Sequence, residues 1–216
     1  MKWVITAGPT REPIDPVRFL SNRSSGKMGY ALAAAAIAAG QRVVLISGPV
    51  CLPPPAKAKV IPVTTAETMH AAVVAEVADS DVLVMCAAVA DYQAREIAPR
   101  KIKKSASALS LELVPTRDIL RSLPAARDYL VIGFAAETEE IAPRARVKLA
   151  QKNCDMVVAN DVSDPAIGME SDENAVTVFF RNGKSRTLPR ATKSVIASEL
   201  VKIICANAKK VLTKKI

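Results

Sequence analysis

The chain has 216 residues, half of them apolar and only 4% aromatic. That length buries a sizeable core and excludes a chain disordered throughout, and the shortage of aromatics favours aliphatic packing of helices on a buried parallel sheet. Thirty Lys and Arg against 21 Asp and Glu give a net charge of +9, a field that attracts polyanions (nucleotides, nucleic acid or phosphorylated metabolites) without choosing among them. Much of the excess is local, in Arg100–Lys104 and in the tail Lys209–Ile216, which reads as a solvated terminus. Cys51, Cys86, Cys154 and Cys205 show no Cys-x-x-Cys spacing, which argues against a zinc site or a disulfide framework. His70, the one histidine, falls in an amphipathic helix and reads as structural rather than catalytic. The first residues look like a strand rather than a signal segment, and no apolar run approaches the roughly 18 residues of a membrane span. A cytoplasmic protein without membrane contact is expected.

Val4–Gly8 is a short apolar run stopped by Gly-Pro, the pattern of a buried strand. A loop from Pro9 to about Ser25 follows, longer than compact domains tolerate without a function. Lys27–Ala39 is an alanine-rich helix ended by Gly40, and Val43–Gly48 a second strand. After a proline-rich connection come a strand Val60–Val63, a helix Ala66–Ala78 and a strand Val82–Ala88. Leu109–Leu113 alternates with period two and predicts a half-exposed antiparallel strand or flap beyond the basic Lys101–Lys104 segment. A helix at Thr116–Leu123, a strand Leu130–Ala135, a helix ending near Asn153 and a strand Met156–Ala159 resume the alternation. A hairpin spans Val176–Leu188 around Asn182-Gly183, and a C-terminal helix starts near Thr192. The expected fold is α/β: one domain over residues 1–216, a Rossmann-like, mostly parallel sheet with helices on both faces and an additional antiparallel flap and hairpin.

In open α/β sheets ligands sit beyond the carboxyl ends of the strands, which directs attention to Gly8 and its long loop, Ser47-Gly48, Ala87–Asp91, Phe134–Thr138 and Asn160-Asp161. Ser24-Ser25-Gly26-Lys27-Met28-Gly29 opens a helix, whose free N–H groups and dipole suit an anion; an ordinary capped helix explains the same residues equally well. The Walker pattern is excluded, because Ser21 and Met28 stand where Gly and Ser or Thr are required. A dinucleotide fingerprint is also missing, since Gly8-Pro9-Thr10 follows the first strand and no acid ends the second. Arg144, Lys148 and Lys152 recur every four residues, on one helix face; a solvated stripe is the plain account. With Lys101, Lys103 and Lys104 they form two cation clusters of the kind a triphosphate needs. A nucleic-acid-binding module would want aromatic stacking residues, and the eight aromatics are dispersed.

The run Ile5–Gly29 closely resembles the phosphopantothenate–cysteine ligases, the synthetase half of a bacterial coenzyme A biosynthesis protein. So do Ala87–Tyr92, Lys101–Lys104, Gly133–Thr138 and Ala159–Ser163, in order along nearly the whole chain. The resemblance implies a two-step ligation: CTP activates the carboxylate of 4′-phosphopantothenate as an acyl-cytidylate, and cysteine then displaces CMP to form an amide. It implies that Asn22 stabilises or turns over the acyl-cytidylate, that Lys101 reaches the triphosphate from a mobile flap, and that Lys148 and Lys152 bind the nucleotide. It also places Met85, Cys86, Ala87 and Asp91 beside the nucleotide, Phe134 near the base, and Arg117, Asp118, Ile119 and Leu120 on a nucleotide-contacting turn. Gly26, Lys27 and Ala88 would hold substrate or phosphate. Arg117 stands where the family often has Pro, and Gly168-Met169 where Gly-Phe is common. The preference for CTP over ATP rests on the bacterial character of the match, since residue types do not reveal it. Mg²⁺ is expected, carried mainly by phosphate oxygens rather than by a carboxylate cage. The chain opens at the first synthetase strand, so neither flavin nor decarboxylation is expected. A homodimer is implied, with Leu109–Leu113 and the Val176–Leu188 hairpin at the interface.

Overall fold

The computed structural model describes all residues except Ser107, Pro165, Ala166 and 213–216, and the side chains of residues 209–212. The basic tail therefore lies mostly outside the described residues. Six strands run parallel: β1 (Lys2–Ala7), β4 (Arg42–Ser47), β5 (Lys59–Pro62), β6 (Val82–Met85), β9 (Leu130–Glu137) and β10 (Met156–Asp161). Two antiparallel strands, β11 (Glu173–Phe180) and β12 (Ser185–Thr192), extend the sheet at one edge, giving the order β12-β11-β10-β9-β6-β1-β4-β5. The central strands are continuous apolar runs, because both faces of each are covered.

From β1 the chain moves outward through β4 to β5, then crosses back to β6 and on to β9 and β10. Right-handed crossovers going in opposite directions put their helices on opposite faces. Accordingly α1 (Lys27–Ala38) and α5 (Lys193–Leu212) pack with Trp3, Ile5, Leu45 and Ile132 on one face, while α2 (Ala66–Val77), α3 (Ile119–Ser122) and α4 (Ile141–Gln151) pack with Val4, Ile46, Leu83 and Val157 on the other. The direction reverses between β1 and β6, and there a crevice opens at the carboxyl ends of the strands.

α1 buries Gly29, Leu32, Ala33 and Ala36, one stripe at i, i+3, i+4, i+7. Gly29 must be glycine: a Cβ there would lie 2.5 Å from that of Ala7, so the helix rests directly on β1. The long loop after β1 is not irregular throughout. It contains the hairpin β2 (Arg11–Pro13) and β3 (Phe19–Ser21), closed by Asp15, whose carboxylate accepts from the Val17 and Arg18 amides at 2.8 Å. Buried Glu12 reaches from β2 to cap α2, accepting from the Ala66 amide at 2.8 Å. The hairpin β11–β12 turns at Asn182-Gly183, with Gly183 at φ 83° accommodating the tight reversal.

The strand expected at Leu109–Leu113 is displaced. β8 covers Leu113–Pro115 and pairs with β7 (Tyr92–Ala94). Leu109, Leu111 and Leu113 are 57%, 39% and 42% exposed, so the alternating leucines find no apolar surface in this chain to fix them in a longer ladder. The helix expected over Thr116–Leu123 shrinks to the single turn of α3, begun by the Asp118 cap that accepts from the Arg121 amide at 3.1 Å.

Candidate active site

The crevice is a cleft of about 830 Å³ bounded by the carboxyl ends of β6 and β9, the start of α1, α3 and the inner face of α4. Its floor is built by side chains of β1 and of the loop that follows it. Thr6 Oγ1 accepts from the amides of Cys86 and Ala87, both at 3.1 Å, and Thr10 Oγ1 accepts from the Ala90 amide at 3.0 Å. These bonds turn the chain sharply after β6 and leave Met85, Cys86, Ala87, Ala88 and Asp91 along the wall. Asn22 crosses the cleft mouth, its Nδ2 donating to the Ala88 carbonyl at 3.0 Å. The Cys86 thiol is pushed up to about 12 by burial, which keeps it protonated and inert.

Gly26 caps α1 with φ 78°, a left-handed conformation that suits glycine, and no side chain caps the helix start. Gly26, Lys27, Met28 and Gly29 all line the cleft. The Lys27 ammonium is held by the Glu170 carbonyl at 2.9 Å and Asp172 at 2.7 Å. Opposite, α4 and its C-cap residue supply two cations of the basic stripe. Lys148 donates to the Phe134 carbonyl at 2.5 Å, and its burial lowers its pKa. Lys152 pairs with Asp118, the residue that caps α3. Arg144, the third member, turns instead to Glu137, Glu139 and Glu140. Arg117, Asp118, Ile119, Leu120 and Phe134 complete this wall.

Every site residue expected from the sequence therefore borders the cleft except Lys101. Its segment is tied to the β2–β3 hairpin: the Ile102 amide donates to Asp15 at 3.1 Å, and Arg18 donates to the Ile102 carbonyl at 2.8 Å. His70 is a structural residue, its Nε2 at 2.9 Å from Ser122 Oγ, joining α2 to α3. The sequence reading missed Asn174, Lys193 and Arg121, which also line the cleft. Two antiparallel strands reverse the chain twice, so the start of β11 and the end of β12 reach the same edge as the parallel carboxyl ends. Extending the strand-end rule across the Val176–Leu188 hairpin would have found Asn174 and Lys193. Among the described residues, no three His, Cys, Asp or Glu side chains are grouped to hold a metal, and the cleft's carboxylates are Asp91 and Asp118.

Residues 1–207 match the DNA/pantothenate metabolism flavoprotein C-terminal domain family. The chain belongs to this family. It is 48% identical over 208 residues to the coenzyme A biosynthesis bifunctional protein CoaBC of Bacillus subtilis (strain 168), covering 95% of this chain and 51% of that protein. The CoaBC of Escherichia coli (strain K12) is likewise 48% identical over 203 residues, 92% of this chain and 50% of the relative. The chain thus spans about half the length of the curated relatives it matches. A crystal structure of the C-terminal domain of CoaBC superposes with a TM-score of 0.83 at 40% identity, covering 97% of this chain and 96% of that one. A Cab2 variant in complex with phosphopantothenate-cysteine shares the fold at 17% identity, with a TM-score of 0.81 over 99% of this chain and 88% of that one. No helix among the described residues is long and apolar enough to cross a membrane.

Proposed function

We propose that the chain ligates 4′-phosphopantothenate to L-cysteine, using CTP and forming an acyl-cytidylate. The observation that carries the reading is one cleft, at the sheet's switch point, lined by Asn22, the Cys86–Ala88 turn, the start of α1, and Lys148 and Lys152 at the end of α4, in a family whose relatives serve coenzyme A biosynthesis. A carboxylate oxygen of the acid attacks the α-phosphorus of CTP and pyrophosphate leaves; the amine of cysteine then attacks the acyl carbon and CMP leaves. Neither step moves electrons to or from an acceptor, so the ligation calls on no flavin.

In this reading Lys148 and Lys152 meet the triphosphate, Phe134 and the Arg117–Leu120 turn face the nucleoside, and Met85–Ala87 with Asp91 complete the nucleotide site. Lys152 exchanges Asp118 for phosphate when the nucleotide enters. Asn22 donates its amide to the acyl oxygen as charge develops there, with the Ala88 carbonyl setting its orientation. Gly26 and Lys27 take an anionic group at the uncapped start of α1. Lys101 joins the triphosphate only when its segment leaves the Asp15–Arg18 clamp. The triphosphate would be bound as its Mg²⁺ complex, which would supply the positive charge that offsets repulsion of the attacking carboxylate. The working form is a homodimer, for which the exposed Tyr92, Ile97, Leu109, Leu111 and Leu113 offer an apolar surface.

The test is product analysis. Incubation with 4′-phosphopantothenate, cysteine, CTP and Mg²⁺ should yield 4′-phosphopantothenoyl-cysteine and CMP in equal amounts. CTP consumption without amide, or amide formation independent of any nucleotide, would contradict the reading.

A further inference from the structure

Lys193, the first residue of α5, sits where a lysine is costly on two counts. It is only 6% exposed, and it places a cation at a helix start, against the dipole. Burial accordingly lowers its pKa. Asp172 beside it is engaged by Lys27 at 2.7 Å. The Lys193 ammonium is satisfied by backbone instead: it donates to the carbonyls of Gly168 at 3.3 Å and Met169 at 3.0 Å, and to that of Ser171.

The loop it holds has an unusual construction. Five consecutive carbonyls, from Gly168 to Asp172, turn inward. Those of 168, 169 and 171 accept from the Lys193 side chain, that of Asp172 accepts from the Lys193 amide at 2.9 Å, and that of Glu170 accepts from Lys27 at 2.9 Å. Ser25, at the entry to α1, adds a bond to the Met169 carbonyl at 2.9 Å. Two ammonium groups thus anchor one loop, and one of them, Lys27, opens the helix that borders the cleft. Gly168 and Met169 face the same cavity.

We infer that Lys193 is a positioning residue for ligand binding: through the 168–172 loop it fixes Lys27 and the uncapped start of α1 in the geometry that receives a phosphate of the nucleotide. The inference rests on the nucleotide reading of the cleft. Without the Lys193 ammonium, three carbonyls in a half-buried place lose the donor they share, the Met169 carbonyl keeping the Ser25 hydroxyl at 2.9 Å and the Gly168 carbonyl the Ser171 amide at 3.3 Å, and the loop is held more loosely against α1. Lys27 then loses the partners that fix its ammonium.

The test uses the full chain and two measurements, CTP binding by calorimetry in the presence of Mg²⁺ and the steady-state constants of the ligation. Lys193→Met should weaken CTP binding and raise its KM by about tenfold, with kcat at saturating CTP within about threefold of the parent. Lys193→Arg, which keeps a cation with several donors, should recover most of the affinity. Ser25→Ala, which keeps the ammonium, should move CTP binding in the same direction by a smaller factor, and it decides the matter should Lys193→Met not fold. CTP bound equally well by the parent and both variants would overturn the role of Lys193 alone. Equal losses in the Met and Arg variants would also overturn it, since only the side chain's shape would then matter. A parent chain that binds no CTP would remove the nucleotide reading and this inference with it.

Discussion

In the proposed reaction, Asn22 and Lys148 concentrate the chemistry at single residues. Asn22→Asp keeps the shape at the cleft mouth but replaces the amide donor that meets the Ala88 carbonyl at 3.0 Å with a carboxylate. The acyl-cytidylate should still form and then accumulate, with amide formation slowed by about 10²–10³, the usual loss for one oxyanion donor; quenched-flow separation of the intermediate checks it, and an unchanged amide rate would refute the role. Lys148 behaves differently because its charge is already strained by burial. Its folded pKa lies below the ordinary lysine value, so the folded chain holds fewer protons than the unfolded one between the two. This group therefore costs stability in full below its folded pKa, and the cost is relieved as pH rises from that value toward the ordinary lysine value. The triphosphate needs the ammonium, so CTP affinity should fall on the same rise, at a lower pH than for an ordinary lysine. In Lys148→Met, CTP binding is weaker throughout and should lose this alkaline limb. These assignments were legible in part: the strand-end rule reached Ala87, Asp91 and Phe134, whereas the Lys152–Asp118 pair depends on α3 and α4 facing each other, which spacing along one helix does not reveal.

The elements divide into those whose partners lie in this chain and those whose partners do not. The parallel strands were readable because each is an apolar run buried on both faces, and α1 because its small residues recur on one stripe. Gly29→Ala tests how closely α1 rests on β1. With Ala7 at 2.5 Å the added methyl must push the helix away, at about 1–3 kcal/mol; for a chain of this size that lowers Tm by about 2–4 °C per kcal/mol. Calorimetric melting measures it, and an unchanged Tm would contradict the close approach. The antiparallel strand of the flap starts later than the alternation suggests, because Leu109, Leu111 and Leu113 describe a strand face with nothing here to cover it. What orders the neighbouring Lys101 segment is instead Asp15. The Arg18 guanidinium and three backbone amides hold its carboxyl far below the usual range. A depressed carboxylate contributes stability above its unfolded pKa and loses it as pH falls toward the folded value, so this clamp should persist at neutral pH and weaken in acid. Asp15→Asn should release the segment, and trypsin should cut at Lys101, Lys103 and Lys104 faster than in the parent at neutral pH. Equal cleavage rates would show that the clamp does not order it.

At the scale of the molecule, the topology determines where the chemistry sits. A sheet that reverses direction between β1 and β6 opens its crevice there, and an appended hairpin brings Asn174 and Lys193 to the same edge. The net charge of +9 suits a site for a triphosphate and a phosphorylated acid, but charge alone left nucleic acid equally open. It was the ordered set of motifs, rather than any bulk property, that narrowed the reading. In the proposed reaction the cleft activates a carboxylate with a nucleotide before any amine is present. Pyrophosphate release should be measured with Mg²⁺ and CTP or ATP, with and without 4′-phosphopantothenate, in the absence of cysteine. Release should require the acid and run with CTP far ahead of ATP. Release that ignores the acid, or that appears only when cysteine is added, would contradict it.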